Sequence, residues 1–584
     1  MKMRTLNLFT FAVMLTVCSA TAWGVPAHPG KRTVFQPDGS TVTLAQYGDE
    51  YLNYTTTSDG YTVLKDDSGF YVYANLINNS LVKTTQIAHD LSDRNPAEKQ
   101  FLSGLEKRLH PSISGNSEFQ RNVERASRRE ARQKLSGSRY DYSQFRGLIV
   151  LVEYNDCQFS RDDYFDIISD MICKPGYSGY TSAGRNPEWV ECTGSVYDYY
   201  FDNSMGIFQP SFDIIGPVKV NRSMYFVCQA VNSVQLIGDV LTAIDSQVNF
   251  ADYDTDGDGI VDMVYFIFAG PGSHYTGNDS RLLWPHSANY SNFTPRYMDG
   301  VKMGRYACST ELANNPDDNR LEGIGTICHE FSHVLGLEDL YDTDGSGSGG
   351  TSEMTPELWS LMDAGCYIDD SKTPAGYSLY ERYQIGFAEP KTITEEGEYS
   401  LDPLDTSNEG YILESGRANE FFAIENRQRI KWNKVNPGHG MLVYRVDRTN
   451  ENAWIGNYIN CDPTHNYYQL LRATNQKYDY TGTPFPGTGN CTALNNNTSP
   501  SVQAWNGVDA PLVLKNIREN EDGTVSFSVI DSEKSAGVIS IENTADNAPT
   551  TYYDLTGQLI KGIPDRAGIY IQIRGAEHKK VIIP

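Results

Sequence analysis

The 584-residue chain is short of basic residues, of paired cysteines and of long apolar runs, and each shortage closes off a class of function. Lys and Arg number 48 against 74 Asp and Glu, a formal charge of -26 at pH 7. Such a chain repels phosphate backbones, so no nucleic-acid partner is expected. The ten cysteines contain no C-x-x-C pair, which excludes a zinc ribbon. Nine remain once Cys18 leaves with a leader, an odd count that implies a free thiol or an intermolecular bond. None lies between residues 23 and 138, so latency through a thiol placed there is excluded. No segment beyond the leader offers the ~20 apolar residues of a membrane helix, and no transmembrane anchor is expected. The run from Leu6 to Val17 is itself too short to span. Lys2 and Arg4 precede it and Ala20-Thr21-Ala22 follows it, the pattern of a secretory signal peptide over residues 1–22. Cys18 fits a lipoprotein box only loosely, because Val17 stands where a small residue belongs.

What is present is enough for several packed cores, with 39% hydrophobic and 12% aromatic residues. Residues 23–138 form an N-terminal segment with hairpin signals at Gln36-Pro37-Asp38-Gly39 and Asp59-Gly60-Tyr61-Thr62-Val63. From Glu118 to Lys134 it turns basic, with Arg121, Arg125, Arg128, Arg129 and Arg132. That stretch reads either as a solvated helix or as an exposed linker that a trypsin-like protease cuts to release a prosegment. Residues 139–390 alternate strand and helix patterns. The apolar run Gly147 to Tyr154 suits a buried strand, and Ser233 to Val248 carries apolar residues at helical spacing. Further strands are expected at Phe212 to Val220 and Met263 to Phe268, and helices at Asp162 to Ile172 and Ser195 to Phe201. Short strands dominate 391–532, and a smaller β unit fills 533–584. The expected fold class is α+β.

The stretch Leu321 to Asp342 concentrates the chemistry. Apolar Ile324, Ile327, Cys328, Phe331, Val334 and Leu335 predict a helix over 322–335. His329 and His333, four apart, share one face and can reach a single ion. Glu330 projects beside them toward a bound water. Gly336 permits the left-handed turn that ends a helix, after which Asp339 can come under the metal as third ligand. Two His and one carboxylate leave a zinc ion one open position for water, which suits hydrolysis with Glu330 as general base. Glu353 or Glu357, further along, are the rival third ligands.

His329 to Asp339 resembles the metzincin zinc motif with Asp in the third place, closest to secreted bacterial metalloproteases of the immune inhibitor A type. Leu358 to Gly365 is similar to that family's Met-turn, with Met362 beneath the zinc. Glu425-Asn426-Arg427-Gln428 and Pro437-Gly438-His439-Gly440 match as well, so the resemblance runs from about 25 to 450. It implies a metzincin-like catalytic domain, a twisted mixed sheet with a zinc helix, flanked by a small prosegment and β-sandwich-like C-terminal domains. It also implies endopeptidase activity on protein or peptide substrates. Some metzincins carry a Tyr two residues after the Met; Ala364 stands there, leaving the oxyanion partner unassigned among Tyr367, Tyr377 and His286. The rival from another class is a surface adhesin built on an inactive protease scaffold, against which the intact Glu330 speaks.

Two further motifs remain. Asp254, Asp256, Asp258 and Asp262 follow a D-x-D-x-D-G-x-x-D pattern that points carboxylates inward, as calcium requires. Tyr265 replaces the closing Glu of an EF-hand, so a structural calcium loop of another kind is expected. Asp342-Thr343-Asp344-Gly345 is a weaker calcium candidate. The tail, with Tyr552 to Gly557, Gly568 to Ile571 and Lys579 to Ile583, resembles the sorting domains of type IX secretion. That resemblance implies contact with outer-membrane secretion machinery and a destination outside the cell or on its surface.

Overall fold

Alternating and unbroken apolar runs set out the strands, and which faces they bury decides the layers. The structure, a computed structural model, describes residues 24–50, 52–111, 142–535 and 550–583, apart from 184–186, 228–229, 276, 278, 280, 293, 314–319, 346, 478, 565 and 575–576. The signal peptide, the basic stretch 118–134 and Cys228 lie outside the described residues. The eight described cysteines are all free thiols.

Six strands form an antiparallel meander in chain order: β1 (Lys31–Phe35), β2 (Thr41–Gly48), β3 (Asn53–Thr57), β4 (Thr62–Lys65), β5 (Tyr71–Ile77) and β6 (Ser80–Ile87). The Gly39 and Gly60 amides close turns onto Gln36 and Thr57, where the hairpin signals stood. Helix α1 (Pro96–Leu102) adds Leu102 to the small core of this sheet.

The central sheet contains β7 (Arg146–Glu153), β8 (Ser211–Lys219), β9 (Val264–Pro271), β10 (His286–Asn289) and β11 (Arg305–Leu312), in the order β8-β7-β9-β11-β10. All neighbours are parallel except β10, which runs antiparallel at the edge. Strand β7 reads as a continuous apolar run because both its faces are covered. Ile149 and Leu151 join one core, and Leu148, Val150 and Val152 the other. Helices α2 (Tyr164–Cys173) and α3 (Val196–Asn203) lie on the first side, and α4 (Ala230–Ile244) covers the second with Leu236, Ile237 and Leu241. Ser195 starts α3 through a reciprocal capping pair with Asp198. Helix α5 (Ile324–Leu335) brings Ile327, Phe331 and Leu335 onto the first core, so the zinc motif rests directly on the sheet. The fold is thus mixed α+β, as the alternating patterns predict.

Beyond helix α6 (Leu379–Gln384), two sheets face each other. One holds β12 (Lys391–Ile393), β14 (Tyr411–Glu414), β15 (Glu420–Arg427), β16 (Gly440–Asp447) and β17 (Tyr468–Leu471); the other holds β13 (Gly397–Leu401), β18 (Leu512–Glu519) and β19 (Val525–Asp531). The larger sheet is buried on both sides. Ile424 and Val443 face the smaller sheet, whereas Ala423, Leu442 and Tyr444 join the core beneath α5. The core of the zinc helix therefore continues across residue 390. Last comes a four-stranded antiparallel sheet of β20 (Thr550–Asp554), β21 (Leu559–Ile560), β22 (Gly568–Arg574) and β23 (Glu577–Ile583).

A fully buried ion pair pins the two regions together. Arg427 lies 2.6 Å from Glu425 and also donates to the Gly376 carbonyl at 3.0 Å and Asn433 at 2.9 Å. Glu425 in turn accepts the Leu379 amide at 2.5 Å. Removing one partner leaves an uncompensated buried charge, so Arg427→Met is expected to lower stability by about 3–5 kcal/mol. A urea or thermal unfolding curve checks this, and a shift under about 1 kcal/mol would contradict it.

Candidate active site

Helix α5 ends because Gly336 takes φ 105, with its amide on the His333 and Ser332 carbonyls. A side chain would be strained there. The turn sends the chain back, and Asp339 arrives beside the two imidazoles. Its Oδ1 lies 3.1 Å from His329 Nε2 and 3.3 Å from His333 Nε2, and all three side chains are buried. Their donor atoms lie within 4.8 Å of one another. Each ring commits its Nδ1 to a main-chain carbonyl, His329 to Leu361 at 2.8 Å and His333 to Leu337 at 2.9 Å. That commitment turns both Nε2 lone pairs inward, the orientation metal-binding imidazoles need. Two imidazoles and one carboxylate fit zinc with a position left open.

Support for this trio comes from two distant segments. The Leu361 carbonyl holds His329, and the next carbonyl, of Met362, accepts the Leu340 amide at 2.8 Å. The Met-turn thus braces a ligand from each side of the motif, with Met362 fully buried. Gly325 lets α5 approach this turn, since a Cβ there would stand 1.9 Å from the Cys366 carbonyl. The other segment is a loop of the β region. Asn457 donates to Asp339 Oδ2 at 2.6 Å and accepts the Asp339 amide at 2.9 Å. Asn460 donates to the Leu340 carbonyl at 2.6 Å. No sequence signal marks Asn457, which is 118 residues away from the aspartate it holds.

The cleft beside Glu330 contains a strap from the start of the described chain. The Val25 amide donates to Glu330 Oε1 at 2.8 Å, and the Val25 side chain is fully buried. Tyr341 donates to the Gly24 carbonyl at 2.7 Å, Trp284 to the Val25 carbonyl at 2.9 Å and Tyr367 to the Pro26 carbonyl at 2.6 Å. The His28 amide reaches the His274 carbonyl at 2.9 Å. Glu50, in the turn between β2 and β3, is half-buried with its carboxyl within reach of the charges of Asp339 and Glu330, and its shielded Oε2 has no partner among the described residues. Burial pushes the Glu330 carboxyl up, and the Asp339 charge adds to the effect. Tyr341, Trp284 and Glu50 carry no motif and escape sequence reasoning.

Of the three oxyanion candidates, Tyr367 alone reaches the strap. The Tyr377 hydroxyl is spent on Ser332, and His286 is tied to the Trp284 carbonyl and the Tyr306 hydroxyl. Burial holds His286 down at about 4, so it is neutral. Glu353 pairs with Lys477 at 2.9 Å, and Glu357 faces Arg472 at 3.4 Å, so neither joins the histidines.

In the acidic loop, Asp254, Asp256 and Asp258 bring their carboxylates within 4.8 Å of one another. Asp262 stands outside that trio and accepts from the amide and hydroxyl of Thr255. Asp342 and Asp344 cluster with Cys461, a residue the acidic pattern did not include. No helix among the described residues is long and apolar enough to cross a membrane.

Comparison with known proteins agrees with this geometry. Residues 139–384 match the family described as immune inhibitor A peptidase M6, catalytic domain. Immune inhibitor A of Bacillus thuringiensis subsp. alesti is 27% identical over 243 residues, 38% of this chain and 33% of that protein. The pre-pro-metalloprotease PrtV of Vibrio cholerae serotype O1 is 22% identical over 335 residues, 49% of this chain and 35% of that protein. The chain thus spans about a third of the length of the curated relatives it matches. Residues 139–384, which hold the buried His329, His333 and Asp339 trio, are thus similar to the catalytic domain of the immune inhibitor A-type metallopeptidases.

Proposed function

We propose that the chain is a secreted zinc endopeptidase made as a latent precursor. The observation that carries this is the buried donor trio with Glu330 one residue along the helix and turned into the cleft. His329, His333 and Asp339 would hold a zinc ion, which would supply the Lewis acidity that makes water nucleophilic near neutral pH. Glu330 accepts the proton of the attacking water and passes it to the leaving amine. A carboxyl raised by burial is suited to both transfers at neutral pH. The inactive-adhesin reading gains nothing from the matches, which are to peptidases.

Latency follows from the strap, because an amide on Glu330 occupies the base. Residues 23–138 are accordingly read as the prosegment, and the basic stretch 118–134 as its release point. The Asp254, Asp256 and Asp258 loop is read as a calcium site bracing the turn before β9, with Asp262 holding the loop backbone through Thr255. The tail sheet, 550–583, is read as the sorting element that takes the protein through the outer membrane to the surface or the medium.

Five outcomes test these readings. Glu330→Gln should keep zinc by elemental analysis yet lose casein and gelatin cleavage; substantial cleavage by that variant would sink the assignment. Asp339→Ala should lose zinc outright, and Asn457→Ala should weaken zinc affinity about 10–100-fold, measured by chelator competition. Trypsin-type removal of residues 23–138 should raise peptide hydrolysis, with the new N-terminus read by sequencing; unchanged activity would refute latency. After EDTA treatment, zinc alone should leave the melting temperature below native, and calcium should restore it. Full recovery with zinc alone would exclude the calcium site.

A further inference from the structure

We propose that Asp342, Asp344 and Cys461 form a second metal site, for a thiolate-binding divalent cation of the zinc class, separate from the catalytic trio. Their donor atoms, two carboxylate oxygens and a sulfur, lie within 4.8 Å of one another. A tetrahedral ion sets such donors about 3.5 Å apart, so side-chain movement of about 1 Å closes the three around it. Two polar groups at this place are left short of a partner. Asp344 is only 7% exposed, yet its Oδ1 has no hydrogen bond among the described residues. Ser352, also 7% exposed, donates its amide to Asp342 Oδ2 at 2.9 Å, and its hydroxyl has no partner among the described residues. A shielded carboxylate oxygen beside a second carboxylate is costly unless a cation meets it.

The sulfur decides the class of cation. Calcium takes oxygen donors and leaves thiols aside. Cys461 is 2% exposed, and a thiolate set with carboxylates selects borderline-soft ions instead. On binding, the thiol gives its proton to solvent and the sulfur lone pair goes to the ion. Because this site must lose that proton and contract, it fills only when metal is supplied, unlike the trio whose imidazoles are pre-set by main-chain carbonyls. The origin of the three ligands gives the site its use. Asp342 and Asp344 follow the zinc motif, whereas Cys461 comes from the loop that carries Asn457 and Asn460. Thr343 already joins the two segments, its hydroxyl donating to the Asn457 carbonyl at 2.5 Å and lying 3.2 Å from Cys461 Sγ. An ion here clamps that loop onto the segment 339–344, where Asn457 holds Asp339. The second metal is thus a brace for the third ligand of the first.

The test uses the full chain, stripped with a chelator and titrated with cobalt(II) alone. Wild type should develop a sulfur-to-cobalt charge-transfer band in the near ultraviolet, which two imidazoles and a carboxylate cannot produce. Asp339→Ala, lacking the catalytic trio, should keep the band. Cys461→Ser and Asp344→Asn should each lose it with the metal-free circular dichroism unchanged, while Cys491→Ser, at a thiol outside the site, should retain it. Added zinc should displace the cobalt and erase the band, and calcium at the same concentration should leave it. In the Asp339→Ala protein cobalt should raise the melting temperature, and the further change Cys461→Ser should abolish the rise. No band in wild type, a band that survives Cys461→Ser, erasure by calcium, or no rise in melting temperature would each overturn the proposal. None of these results touches the catalytic reading, which Glu330→Gln tests separately.

Discussion

The aspartate between two imidazoles is the contact on which the rest of the structure depends. Asp339 lies past the end of its helix and has no local secondary structure to fix it. It reaches His329 and His333 only because Gly336 reverses the chain and Asn457 holds both its amide and its carboxylate. Asn457 belongs to the β region, so Asp339 is held beside the two imidazoles only when that region is docked. The shared core across residue 390 and the buried Arg427–Glu425 pair make that docking rigid. A catalytic centre that needs its ligands held to a fraction of an ångström is served by such distant supports.

The cleft also gathers like charge. Glu330 and Asp339 are joined by Glu50 from the N-terminal hairpin, and burial, with the neighbouring like charges adding to it, pushes the Glu50 and Glu330 carboxyls up. Carboxylates repel strongly at low dielectric unless protons or a metal compensate. A metal ion held by His329, His333 and Asp339 would offset this. The strap enters the same region, with the Val25 amide on Glu330 and the Tyr341 hydroxyl on the Gly24 carbonyl.

The motifs proved legible in proportion to how local they are. The helix over 324–335, its terminating glycine and the continuous strand β7 follow from spacing within a dozen residues. So do the hairpin turns at Gly39 and Gly60, and the clustering of Asp254, Asp256 and Asp258. Where a member of a motif takes a partner decided by the fold, spacing alone does not name that partner. Asp262 fits the calcium pattern but turns to Thr255, and Cys461 joins Asp342 and Asp344 from 117 residues beyond Asp344. Tyr377, named for its chemistry alone, is buried against Ser332.

By itself the sequence determined the helix over 324–335, the spacing that puts His329 and His333 on one face of it, the glycine that ends it and the mixed α+β alternation. All of these are set by periodicity and short-range geometry. Only the tertiary structure decided that Asn457 anchors the third ligand, that Val25 lies on Glu330 and that Tyr341 faces a peptide carbonyl. Those contacts join residues 118, 305 and 317 positions apart. No local pattern encodes such pairings, because they arise from how separately folded layers share one core.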